Sequence, residues 1–127
     1  MSRFLLVCLG GALGTGARYL IGIGAPRFFG SAFPYGTLTV NVLGSFLLGA
    51  IMHVGLTTAL ISPTLRLVLT TGVMGGFTTY STFNYETIAY LREGAWAMAA
   101  LNLGGTVALC LVAGGLGLLS ARALTGS

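Results

Sequence analysis

Five consecutive hydroxyl side chains, Thr78, Thr79, Tyr80, Ser81 and Thr82, lie in the middle of an apolar stretch, just after the pair Gly75-Gly76. Hydroxyls bond nearby backbone groups and compete with the helical ladder. Each of two adjacent glycines adds a penalty of about 1 kcal/mol against alanine in a helix interior. A helix is expected to break here. Two chemistries then open. Tyr80 and Phe83 are three apart and share one face of a resumed helix. The edge of an aromatic ring is positive, so two ring edges, with the hydroxyls of Thr79, Ser81 and Thr82 beside them, could contact a small dehydrated anion. The carbonyls from Gly75 to Thr78, released from helical partners and with no carboxylate beside them, suit a weakly charged hard cation such as Na⁺. A kinked and simply packed helix is the plainer reading of the same residues.

The other polar residues inside apolar segments are few. Arg18 lies about two thirds of the way through the first segment. An intramembrane charge is a functional candidate, here one that draws anions into a vestibule; the alternative is snorkelling to the nearby interface. Asn41 carries an amide with two donors and an acceptor, and an interhelical hydrogen bond is its plainer role. Glu86 is the one carboxylate within a span, one turn past the break, and pairing with an interfacial arginine is the competing reading. Asn102 and Thr106 are four apart and face the same way on one helix. His53 reads as an interfacial or packing residue. Cys8 and Cys110 both fall in apolar runs and read as small buried side chains. No metal-ligand spacing, nucleophile–base pair or phosphate loop occurs, so no catalysis is expected.

The elements that must position these groups are membrane spans. The 127 residues are 55% hydrophobic and 6% charged, against about 25% charged in a soluble domain. Four long apolar segments cover residues 4–25, 36–61, 67–91 and 95–119, and about 20 residues cross a bilayer core. Pro26 and Pro34, Ser62-Pro63, and Arg92-Glu93-Gly94 fill the connections. The expectation is one domain, residues 1–127, of four transmembrane helices with the third broken at mid-membrane. Met1-Ser2-Arg3 before an apolar run resembles a signal peptide, but the run continues to about Ala25 and reads as the first span. Irregular backbone at membrane depth must be buried or line a wet cavity, which ties the break to function. The arginines are scattered singly, so the basic balance does not indicate nucleic acid.

Orientation adds a further constraint. Arg3, Arg66 and Arg122 fall on one side of the membrane and Arg18, Arg27 and Arg92 on the other. The positive-inside rule then has no preference to express, as in a chain that inserts both ways and pairs as an antiparallel homodimer. Tyr19, Phe28, Phe29, Phe33, Tyr35, Tyr90 and Trp96 gather at the second side as an interfacial belt. The 21 glycines include small-xxx-small pairs, Gly10 and Gly14, Ala12 and Gly16, Ser45 and Gly49, Gly72 and Gly76, that bring helix backbones close. Four thin helices have little interior, so this much small-residue surface also favours a second subunit.

The run Gly-Gly-Phe-Thr-Thr-Tyr-Ser-Thr-Phe from Gly75 to Phe83, with Glu86-Thr87 after it, resembles the GGxTTFSTFxxET signature of the Fluc/CrcB fluoride channels. Gly10-Gly11-Ala12-Leu13-Gly14 leading to Arg18-Tyr19, and Gly36-Thr37 leading to Val40-Asn41 and Gly44, fit in order and spacing. The resemblance implies a dual-topology antiparallel homodimer in the inner membrane of a bacterium, with two fluoride pores at its interface that exclude chloride. It also implies a structural Na⁺ at the dimer centre, held by the main-chain carbonyls of Gly75 and Thr78 from both subunits. It maps the pore aromatics to Tyr80 and Phe83, the pore amide to Asn41 and the vestibule arginine to Arg18. A polar track beside the pore would use Ser81, Thr82, Asn102 and Thr106. Tyr80 departs from the signature, which has phenylalanine there.

Two other classes compete. A small four-helix, proton-coupled multidrug exporter needs an intramembrane acid in the first span, where this chain has Arg18. A non-transporting assembly subunit would use the small-residue faces and leave the hydroxyl-rich break without a purpose.

Overall fold

The computed structural model describes residues 1–127 and is all-α. Its elements are α1 (Ser2–Phe29), α2 (Tyr35–Thr57), α3 (Pro63–Leu67), a π-helical segment (Val68–Met74), α4 (Gly75–Phe77), α5 (Tyr80–Arg92) and α6 (Trp96–Thr125). Helices α1, α2 and α6 are each long and apolar enough to cross a membrane. The elements from α3 to α5 form the third of four rods in chain order, interrupted at Thr78 and Thr79.

The ends follow local chemistry. α3 starts at Ser62, whose Oγ accepts from the Leu65 N–H at 3.0 Å, with Pro63 in the first turn, as N-capping requires. α1 runs through Pro26 to Phe29, beyond the expected end of the first span. Proline lacks an N–H and removes one helical bond, a small loss in a last turn, and the stop comes at Gly30 with φ 85°. α2 ends at Thr57, earlier than residue 61, because the Thr58 N–H and Oγ1 both return to the Val54 carbonyl. The Arg66 Nη1 closes the same corner on the Gly55 carbonyl at 3.1 Å. α6 continues to Thr125 and stops at Gly126 in the left-handed region.

Packing rests on close backbone approach. A Cβ on Gly14 would strike the Val73 carbonyl and lie 2.9 Å from the Phe77 nitrogen, and one on Gly72 would lie 2.9 Å from the Val7 carbonyl. Gly76 similarly meets the Gly11 carbonyl, and Gly49 and Gly117 seat α2 on α6. These glycines let α1 cross the third rod, where van der Waals contact replaces the hydrophobic drive that lipid does not supply. Val40, Met74 and Phe77 form the small core, with Ile21, Ile51 and Val73 against it. Only 16 of 127 residues are buried, so most apolar side chains face outward. Gly16, Gly104, Gly105 and Gly115 meet nothing within the chain.

α1 packs on the π-helical segment and α4, α2 on α6, and α5 mainly on α6. The two halves of the third rod therefore have different neighbours. Some of the aromatics meet at one end of the fold: the Phe29 and Tyr35 rings lie 5.4 Å apart, Phe33 and Tyr35 5.3 Å, and the Tyr90 hydroxyl donates to the Ala32 carbonyl at 3.1 Å.

Candidate functional site

The break in the third rod lies two residues after the glycines. Gly75 and Gly76 remain helical in α4, whereas Thr78 (φ −88°, ψ 160°) and Thr79 (φ −151°, ψ 116°) are extended. The helix penalty of Gly76 is offset by its close packing under α1, where a Cβ would meet the Gly11 carbonyl. Thr78 ends α4 by donating both its N–H and its Oγ1 to the Met74 carbonyl, each at 3.0 Å. Thr79 then caps α5, its Oγ1 accepting from the Thr82 N–H at 3.3 Å and donating to the Thr82 Oγ1 at 3.1 Å. Upstream, the π-helical turn carries Thr70 and Gly72. Such turns are rare and frequent at functional sites.

Two side chains from other helices stabilise the break. Asn41 on α2 accepts from the Thr79 N–H at 2.8 Å and donates to the Thr79 carbonyl at 3.0 Å. This two-point bond replaces both of the backbone partners that Thr79 lost. Arg18 on α1 donates from Nε to the Gly76 carbonyl at 2.9 Å, with the Thr15 hydroxyl on the same oxygen at 3.5 Å. The terminal guanidinium nitrogens make no hydrogen bond within the chain, and Arg18 lines a cavity of about 370 Å³ that also takes in Thr37, Thr79 and Thr82.

The carbonyls of Gly75 and Thr78 accept no hydrogen bond. The Thr79 N–H goes to Asn41, the Thr82 N–H to Thr79, and the Thr78 N–H to Met74. Gly75 is exposed, and an added Cβ there would meet only the Thr70 carbonyl at 3.7 Å. No cluster of His, Cys, Asp or Glu stands near. Uncharged, unpartnered oxygens on an open face fit Na⁺ better than Ca²⁺, which takes carboxylates.

A second cavity, about 340 Å³, joins the break to its surroundings. Asn41 and Gly44 of α2, Gly75 and Thr78 to Tyr80 of the break, Phe83 of α5, and Thr106 and Cys110 of α6 line it. Gly44 is needed here, since a Cβ would occupy the place of the Thr78 methyl. Tyr80 and Phe83 pair edge-on, with centroids 5.8 Å apart and planes at 70°. Phe83 is buried while Tyr80 is 76% exposed, so Phe83 forms the wall of the cavity and Tyr80 stands at its open side.

The remaining candidates are distributed around this centre. Thr82 lies in the Arg18 cavity, Ser81 is exposed on α5, and Glu86 lines a third cavity of about 370 Å³ with Thr37, Tyr90 and Glu93. Glu86 Oε2 accepts from the Thr37 hydroxyl at 3.1 Å, and its Oε1 is buried without a partner. Asn102 is fully buried and donates to the Thr87 Oγ1 at 2.9 Å; the Thr106 hydroxyl points back to the Asn102 Oδ1 at 3.4 Å. His53 lies beside the Ser127 main-chain oxygen at 2.9 Å. Thr15, Thr37, Thr87 and Cys110 are site neighbours that sequence reasoning missed. For Thr15 and Thr87 a signal exists in their helical spacing from Arg18 and Phe83, whereas Cys110 continues the four-residue repeat of Asn102 and Thr106.

Comparison with known proteins agrees with this geometry. The profile of the family described as CrcB-like protein, Camphor Resistance (CrcB), matches residues 5–118. A protein of Anaeromyxobacter sp. (strain K) is 58% identical over 126 residues, covering 99% of this chain and 100% of its own length. One from Sorangium cellulosum (strain So ce56) is 56% identical over 124 residues, 98% of each chain. A third, from Geobacter sulfurreducens, is 50% identical over 124 residues, 98% of this chain and 100% of its own. All three carry the name fluoride-specific ion channel FluC.

Proposed function

The chain belongs to the CrcB-like family of fluoride channels, and from that premise we propose that it is a passive, fluoride-selective channel of the bacterial inner membrane that lets cytoplasmic fluoride escape. The working unit is an antiparallel, dual-topology homodimer with two pores along the subunit interface. It is a multi-pass membrane protein and performs no catalysis. The observation that carries the reading is the clamped break: Asn41 and Arg18 satisfy two of its residues while the groove beside it joins Thr79, Tyr80 and Phe83.

Fluoride is small and strongly hydrated, so a pore must replace its water with donors and positive ring edges while binding weakly enough to release it. The Arg18 guanidinium supplies positive charge at the vestibule, with its terminal N–H groups free. The hydroxyls of Thr82 and Ser81 and the edges of Tyr80 and Phe83 contact the ion along the groove, and Thr106 continues the polar track. Thr79, whose hydroxyl hydrogen goes to Thr82, and the fully buried Asn102 support that track from behind. Asn41 contributes the amide hydrogen left over after its bond to the Thr79 carbonyl. Glu86 sits at the vestibule side, where Thr37 orients it. Chloride, larger and a poorer acceptor, gains less from the same donors.

The open glycines of α6 and the groove itself support a second copy as the missing wall. At the centre of that pair, the Gly75 and Thr78 carbonyls of both subunits would hold Na⁺, which would supply a fixed positive charge and link the subunits. A proton-coupled drug exporter lacks its acid here, since α1 carries none, and a scaffold leaves the clamped break without use.

A bacterial strain lacking its own fluoride export tests the role. Expression of the wild type should restore growth on fluoride and Phe83→Ile should not. Growth restored equally by both would remove Phe83 from the path. Thiol labelling of a single cysteine at Gly94, in a background with Cys8 and Cys110 replaced, tests the topology. Labelling from both membrane faces is expected, and labelling from one face alone would rule out dual insertion.

A further inference from the structure

We propose that Thr87, pinned by Asn102, is a positioning residue that sets the Phe83 ring against the pore; this rests on the channel reading above. Thr87, Asn102 and Thr106 are the polar side chains buried in this chain, and they form one connected network. Thr87 Oγ1 donates to the Phe83 carbonyl at 2.9 Å, one turn back along α5. The same oxygen accepts from Asn102 Nδ2 at 2.9 Å across to α6. The Asn102 Oδ1 in turn accepts from Thr106, which shares the groove with Phe83.

α5 starts afresh after the extended residues Thr78 and Thr79, so the ladder of α4 does not fix its rotation. It packs mainly on α6 and only marginally on α2. The Asn102–Thr87 bond is the one side-chain hydrogen bond between α5 and α6. It lands on the residue that also grips the Phe83 carbonyl. A threonine bonded back to the carbonyl four residues earlier bends a helix slightly. The α6 amide therefore acts on the turn that carries Phe83, fixing its height and rotation while Asn41 fixes Thr79 from the other side. Because Phe83 lines the groove, a small rotation of α5 changes which part of its ring faces it. Selectivity should feel this before folding does.

The test compares Thr87→Val, Thr87→Ser and Asn102→Ala with the wild type in proteoliposomes, counting reconstituted dimers and reading fluoride and chloride release in parallel. Thr87→Val keeps the shape and removes the donor and the acceptor. Loss of one buried membrane hydrogen bond is expected to lower the fluoride-to-chloride ratio about three- to tenfold. Thr87→Ser, which keeps the hydroxyl, should return to within about twofold of wild type. Asn102→Ala breaks the same link from α6 and should lower the ratio in the same direction, which keeps the test valid if Thr87→Val is not recovered as a folded dimer. Thr87→Val and Asn102→Ala with wild-type ratios, or a Thr87→Ser variant as impaired as Thr87→Val, would overturn the positioning role. A wild type that releases no fluoride would instead overturn the channel reading itself.

Discussion

Replacing Asn41 with leucine removes the clamp and little else. Leucine keeps the branch at Cγ, its larger bulk has the adjoining cavity of about 340 Å³ to enter, and α2 continues through the site in either case. What disappears is the pair of bonds to the Thr79 N–H and carbonyl, at 2.8 and 3.0 Å. Side-chain hydrogen bonds in membrane proteins average about 0.6 kcal/mol and reach about 1.7 kcal/mol, so the pair contributes about 1–3 kcal/mol. If Thr79 to Phe83 are arranged for conduction only while the clamp is made, the conducting population falls roughly five- to hundredfold. Two assays read that quantity independently. Fluoride release from proteoliposomes should slow by this factor, and hydrogen exchange in a peptide spanning residues 77–83 should accelerate, since the Thr79 amide loses its partner. Unchanged release together with unchanged protection would refute the reasoning, because Asn41 would then support neither the break nor the path.

Other outcomes follow from the same structure. Gly14→Ala should destabilise the protein by about 1–3 kcal/mol through overpacking, since its Cβ meets the Val73 carbonyl and the Phe77 nitrogen; thermal unfolding in detergent checks this. Gly16→Ala, in open space, should stay within about 0.5 kcal/mol of wild type in the same measurement. Tyr80→Phe keeps the ring edge and should change the fluoride rate by less than about tenfold, whereas Tyr80→Ile should exceed that; efflux rates decide it. Exhaustive replacement of Na⁺ by a large organic cation should lower both the dimer's thermal stability and its fluoride release, and return of Na⁺ should restore them; neither effect would indicate that the Gly75 and Thr78 carbonyls have another role.

The sequence shows the spans because apolar length is sufficient to cross lipid, and it shows that the third is irregular because Gly75 to Thr82 has poor helix propensity. It does not show where the irregularity falls. Gly75 and Gly76 look like the breakers, yet they stay helical because Gly76 lets α1 approach, a tertiary effect that propensity does not contain. Thr78 and Thr79 break instead, because their amides and hydroxyls have partners in Met74, Asn41 and Thr82. The Tyr80–Phe83 pair was legible from its spacing, since residues three apart on a helix share a face. Arg18 and Asn41 were legible as polar groups needing a purpose, but not as partners of Gly76 and Thr79, some 58 and 38 residues away. The continuation of α1 through Pro26 was hidden because proline in a last turn removes only one bond. Thr87 was overlooked for a similar reason: a threonine on a helix looks like any other until α6 brings Asn102 to it.

The central claim is that a fluoride-selective path runs beside the clamped break, and parallel ion-selective electrodes test it most directly. Proteoliposomes loaded with both halides and containing the purified wild-type dimer should release fluoride at once while chloride stays inside. Release of both ions at similar rates, or of neither from a folded dimer, would contradict the account.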